Sequence, residues 1–194
     1  MDTTRPSLLL RIRDRQDEAA WRTFDGIYRP MLLRFALARG LSEADAEDVV
    51  QHCLAAIQEK IGAFDYDPEK GRFKAWLRTI VQNRVRNLLR DRREFPDVTG
   101  QFGMLESAEQ TPEEVFDRLW MQEHLWHCLE LVRRDVEEQT FRAFQLYVLE
   151  QKPIEEVCGE LGVRPNLVYT IKWRLTEKVA ERMRELLGDA ETAT

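Results

Sequence analysis

Cysteine is scarce in this chain: Cys53, Cys128 and Cys158 are the only three in 194 residues, far apart, odd in number and without a CxxC pair. That argues against a disulfide framework. No apolar run approaches the roughly 18 residues a membrane span requires, and residues 1–20 lack the uninterrupted apolar core of a signal peptide. The expectation is therefore a cytoplasmic chain with no membrane insertion. There is no glycine-rich phosphate loop, no nucleophile paired with a base and no carboxylate set suited to a metal, so neither an enzyme nor a cofactor is expected and no residue is assigned a catalytic role. His124, His127 and Cys128 share part of one helix face and are the right residue types for zinc, but a convincing fourth ligand is missing, and packing and surface roles are expected of them instead. Alternating strand patterns and internal repeats are also missing.

What remains is helix, from end to end. Leu8 to Ile12 is a short apolar turn, Ala19, Ala20, Trp21 and Phe24 follow, and Ile27 to Leu37 continues until Gly40 punctuates the chain. Ser42 has the position of an N-cap, with Glu43, Asp45, Glu47 and Asp48 near the positive end of the helix it opens. In that helix Ala46, Val49, Val50, Cys53, Leu54, Ile57 and Ile61 form an apolar stripe, which leaves Asp45, Asp48, Gln51, Gln58 and Glu59 on or near the opposite surface. Asp67-Pro68 and Gly71 then mark a turn, in a loop that also carries Phe64 and Tyr66.

The segment from Arg72 to Arg93 carries two faces at once. Phe73, Trp76, Leu77, Ile80, Val81 and Leu88 recur at helical spacing, Phe73 and Trp76 reading as core, while Lys74, Arg78, Gln82, Arg86 and Arg90 recur every fourth residue on another side. Eight bases face one acid in this segment, a local charge of +7 in a chain of net charge −6. From Lys74 to Arg90 such a helix rises roughly 24 Å, long enough to follow several phosphates. A solvated helix face is the other reading of the same pattern.

After Arg93 the helical period stops. Phe95 to Asp117 holds six acids and no base, and an acidic stretch of this kind is ordinarily a solvated tether. Thr111-Pro112-Glu113-Glu114 reads as a helix start, with Thr111 as N-cap and proline in the first turn. The expected organisation is one helical domain over residues 1–94, an acidic flexible linker over 95–111 and a second helical domain over 112–194. Near the end, Ile154 to Leu161, Gly162 and the helix opening at Pro165 have the order of a helix-turn-helix, with Val168, Ile171, Leu175, Val179 and Met183 facing inward. Residues 164–184 carry a net charge of +4. A plain two-helix scaffold fits that pattern as well.

These segments together resemble the extracytoplasmic-function (ECF) class of bacterial sigma-70 family factors. Asp45 to Gln51 is similar to the family's polymerase-binding motif, Phe73 to Asn83 to its promoter-melting helix, and Ile154 to Val163 to the first half of its second DNA-binding motif. The resemblance implies an all-α, two-domain, non-enzymatic subunit that binds core RNA polymerase and directs it to promoter DNA. It implies that Asp45, Asp48 and Gln51 meet the clamp helices of the largest polymerase subunit. It further implies that Phe64, Tyr66, Lys74, Arg78, Asn83, Arg86 and Asn87 serve the minus-10 element, Asn83 beside the captured base. Arg164, Asn166, Thr170, Lys172 and Arg174 would serve the minus-35 element. Here the chain departs from the commonest family pattern, reading Lys172-Trp173-Arg174 or Tyr169-Thr170-Ile171 in place of a compact Lys-Ser-Arg cluster, which leaves Trp173 to packing or to DNA. The acidic linker is expected to thread near the polymerase active site. An anti-sigma factor is a frequent partner in the class, and no residue identifies one here. A stand-alone helix-turn-helix regulator and a helical adaptor that binds only proteins are the competing functions.

Overall fold

A computed structural model describes residues 5–64, 72–94 and 110–187. Eight α-helices follow one another along these stretches: α1 Arg5–Arg11, α2 Glu18–Ala38, α3 Glu43–Lys60, α4 Arg72–Glu94, α5 Pro112–Arg134, α6 Glu138–Phe144, α7 Ile154–Leu161 and α8 Pro165–Leu187. A 3-10 turn at Ile61–Ala63 follows α3, and a π turn at Gln145–Leu149 follows α6. Among the described residues there is no strand, as the all-α expectation requires. None of the described helices is long and apolar enough to cross a membrane. Tyr66, the Asp67-Pro68 turn and most of the acidic connector lie outside the described residues.

The helix starts follow local chemistry. Asp17 caps α2 by accepting a hydrogen bond from the Ala20 amide at 2.9 Å, while Arg11 Nε and Nη2 donate to the same carboxylate at 2.8 and 3.0 Å. The Arg11 hydrogen bond, then the Ala20 amide, hold the Asp17 carboxyl below its ordinary value of 3.8. Ser42 Oγ accepts from the Asp45 amide at 3.3 Å. Thr111 and Glu114 close a capping box, Glu114 N donating to Thr111 Oγ1 at 3.2 Å and Thr111 N donating to Glu114 Oε2 at 2.7 Å. Both caps fall where the sequence places them.

The chain divides into two compact units, one through Glu123 and one from His124 onward. In the first, α2 packs on α3 and α3 on α4. Its centre is aromatic: Phe24 lies 4.4 Å from Tyr28, and Phe73 of α4 meets Tyr28 edge-on at 5.5 Å. Burying each such side chain stabilises the fold by about 1.5–3 kcal/mol. The fully buried line of α4 is Phe73, Leu77, Val81 and Val85, whereas Trp76, Ile80 and Leu88 are half-buried at its margins.

α5 begins at Pro112, and the division into two compact units falls within it, after Glu123. The reason is again aromatic. Phe116 and Trp120 are fully buried, Phe116 lies edge-on to Phe35 at 5.7 Å, and Trp120 lies 5.7 Å from Tyr28 and 6.2 Å from Phe73. The first half of α5 therefore completes the core of the first unit.

In the second unit Leu146, Val157 and Val168 form a buried cluster, with Tyr147, Ile154, Cys158, Leu161 and Val163 packed around it. Gly162 ends α7 in the left-handed conformation, φ +65°, and its amide donates to the Cys158 carbonyl at 2.9 Å. α8 then begins at Pro165, three residues beyond this cap. Arg142 and Lys152 fix the same turn by pairing with Glu160 at 2.9 and 3.4 Å.

Candidate nucleic-acid interface

The apolar stripe of α3 orients the helix so that Asp48 and Gln51, one turn apart, both face outward. Gln51 is exposed. Asp48 is not a lone charge: Arg84 Nη2 of α4 donates to its Oδ2 at 2.8 Å, and His52 Nδ1 lies 3.3 Å from its Oδ1. Asp45 is half-buried and engaged at the helix start, its carboxylate taking the Ser42 hydroxyl proton donor. Of the three, Gln51 is the one whose side chain has no ion pair or cap among the described residues.

Along α4 the basic residues split into two groups. Lys74, Arg78 and Gln82 lie under the first half of α5: Lys74 Nζ is 3.2 Å and Arg78 Nη1 3.9 Å from Asp117 Oδ1, and Gln82 Nε2 donates to Glu113 Oε1 at 3.0 Å. The ammonium of Lys74 also sits 5.9 Å from the centre of the Trp120 ring. The Gln82 hydrogen bond, with the charges of Arg78 and Arg39 adding to it, holds the Glu113 carboxyl below its ordinary value. Asn83, Arg86, Asn87 and Arg90 form the second group, all exposed, with Arg86 Nη1 donating to Asn83 Oδ1 at 3.2 Å. Phe64 is tied to the core edge, its ring tilted against that of Trp76 at 4.7 Å, with its carbonyl accepting from Arg13 Nη2.

A cavity of about 360 Å³ opens beside this second group. Phe35, Val85, Leu89 and Pro112 give it an apolar floor, and Arg39, Arg86 and Arg90 line it with positive charge beside Gln82 and the single carboxylate of Glu113. Such a lining suits a flat ring that carries a phosphate.

On α8, Arg164, Asn166, Thr170, Lys172 and Arg174 are all exposed, on or just before the first half of the helix. Thr170 Oγ1 donates back to the Asn166 carbonyl at 2.9 Å, and Lys172 Nζ lies 5.5 Å from the centre of the Tyr147 ring. Trp173 is 72 % exposed and so does not pack in this unit; it sits in the middle of the outward face, opposite Val168, Ile171 and Leu175. The sequence left its role open because an aromatic at helical spacing is as often core as surface. Asp117 and Glu113, the partners of the α4 bases, were not identified as such either, since they are reached only across the connector.

The remaining reactive groups are quiet. Cys53 and Cys128 are buried, and burial pushes both thiols up to about 12. His124 is fully buried, and burial shifts His127 downward.

Part of this surface, on α3 and α4, falls within a stretch that matches a known family. Residues 26–95, from the middle of α2 to the end of α4, match the sigma-70 region 2 family. The match covers about a third of the chain. The chain is also similar to the ECF RNA polymerase sigma factor RpoE of Cereibacter sphaeroides, 30% identical over 92 residues, or 47% of this chain. The aligned stretch spans half of that relative's length.

Proposed function

We propose that this chain is an alternative sigma factor of the ECF class, which binds core RNA polymerase and directs promoter-specific initiation. The observation that carries this reading is the sigma-70 region 2 match over α2 to α4, joined to a basic helix whose Asn83, Arg86 and Asn87 stand exposed. Polymerase supplies the phosphoryl-transfer chemistry; this chain supplies binding and selection.

In this reading the α3 surface around Gln51 and Asp48, with Asp45 setting the helix start, meets the clamp helices of the largest polymerase subunit. Interfaces of this kind gain specificity from placed charges and amides at their rim. Residues of α4 engage the minus-10 element: Asn83 and Asn87 offer amides to the edges of unstacked bases, and Arg86 a guanidinium to phosphate. Phe64 and Tyr66 belong to the loop leading into that helix, and Lys74 and Arg78 supply further positive charge. The first half of α8 enters the major groove of the minus-35 element, where Asn166, Thr170 and Arg174 reach base edges and Arg164 and Lys172 reach phosphates. The domain with α2 to α4 then serves polymerase and minus-10, the domain with α7 and α8 serves minus-35, and the acidic linker spans between the two tasks.

The test is binding of the labelled full chain to bacterial core RNA polymerase, wild type against Gln51→Lys. Saturable binding, weakened roughly tenfold by the substitution, supports the reading. No binding to core enzyme, with the free chain selecting duplex operators by itself, replaces it with a stand-alone regulator.

A further inference from the structure

The basic ridge of α4 is partly occupied by the chain's own acids. Glu113 and Asp117 stand one helical turn apart on α5, about 6 Å in rise, and lie against Gln82, Arg78 and Lys74. Those three belong to the four-residue repeat that would otherwise present a continuous positive face. Two carboxylates are thus set where phosphates of a bound strand would be set. Their chemistry is the same: an anion facing lysine, arginine and an amide.

We propose that the first half of α5 is an internal competitor for nucleic acid on α4, held closed in the free chain and displaced when a strand takes the Lys74, Arg78 and Gln82 face. This rests on the reading of α4 as the minus-10 surface. Two further observations favour a competitor over a fixed structural pair. Asp117 Oδ1 is shielded from solvent yet has no aligned hydrogen-bond donor among the described residues, so it is held by charge alone. A carboxylate oxygen shielded from water without aligned donors is held less well than one that is fully hydrogen-bonded, and the Asp117 side chain as a whole stays about half exposed, open to exchange. In addition, the match to the region 2 family ends at residue 95, before α5 begins, so this cover lies outside the matched unit. Phe116 and Trp120 anchor the closed position, and a strand that displaces the acids must offset their exposure. The closed form therefore dominates until nucleic acid binds.

The experiment uses the full chain and a fluorescent single-stranded oligodeoxynucleotide at low salt, without polymerase. Glu113→Gln combined with Asp117→Asn is compared with a control of equal charge change, Glu18→Gln combined with Glu59→Gln, both exposed and carried by α2 and α3. The competitor predicts about fivefold tighter binding for the first pair and less than about twofold for the control. Equal tightening in both, or none in the first, overturns it. Hydrogen exchange gives a second readout that needs no substitution: adding the oligonucleotide must speed exchange of the 112–123 amides, and unchanged or slowed exchange overturns the proposal. The two readings fail separately. Tightening without any binding to core polymerase leaves the competitor standing and removes the initiation role; core-dependent transcription without tightening does the reverse.

Discussion

Arg84 Nη2 of α4 donates to Asp48 Oδ2 of α3 at 2.8 Å, so the acid expected to greet a partner is already holding two helices of its own domain together. Asp48 is half exposed and Arg84 about a third, which limits what the pair contributes. Arg84 Nε, screened from solvent, has no hydrogen-bond partner among the described residues, so Nη2 carries the contact.

A double-mutant cycle with Asp48→Ala and Arg84→Ala, read by urea denaturation, should give a coupling of about 0.5–1 kcal/mol. Zero coupling would show the pair to be incidental. Because of this pair, charge reversal at Asp48 would set two cations against each other, and a loss of polymerase binding in such a variant would report the fold as much as the interface. Gln51 is the cleaner probe.

Gly162→Ala should lower stability by about 1 kcal/mol, seen as a lower urea midpoint with an unchanged slope. An added Cβ meets nothing within 4 Å, so the cost is backbone strain at φ +65° alone. Gln151 offers the converse case, a non-glycine residue at φ 55°, where Gln151→Gly should be neutral or stabilising. Equal destabilisation at both positions would contradict the argument from φ.

These positions also show what was legible beforehand. The caps at Ser42 and Thr111 and the turn at Gly162 were readable because each depends on residues within a few positions of one another. The burial of Phe73, Leu77 and Val81 was readable from helical period. The contacts of Lys74 with Asp117, or of Trp120 with Tyr28, join residues far apart in sequence, and no local pattern encodes them. That is why the acids that meet the basic ridge were not legible beforehand. The inward face of α8 was legible from its period, and Trp173, 72 % exposed, lies off that face.

Glu123 is 7 % exposed beside the half-exposed Arg34, and burial raises its carboxyl above the ordinary 4.5 while the Arg34 charge opposes the rise. In the interval just above pH 4.5 the native chain then binds more protons at this group than the unfolded chain does, so its contribution to stability falls as pH rises. Glu123→Gln removes that dependence. The variant should gain stability relative to wild type as pH climbs through this interval, and level off above it. A wild type that gains on the variant would reverse the sign and contradict the burial argument.

Trp173→Ala should leave the thermal midpoint nearly unchanged, because the ring makes little contact with its own domain. Affinity for a duplex bearing the minus-35 sequence should fall roughly tenfold, as for the loss of one good base contact. A marked drop in thermal midpoint would show instead that the ring packs.

Transcription by core polymerase from a randomised promoter library, with and without this chain, tests the central claim most directly. The account predicts transcripts only when the chain is present, from templates sharing two sequence blocks, with Asn83→Ala relaxing selection at the downstream block alone. Transcription that does not depend on the chain, or templates enriched without shared blocks, would contradict it.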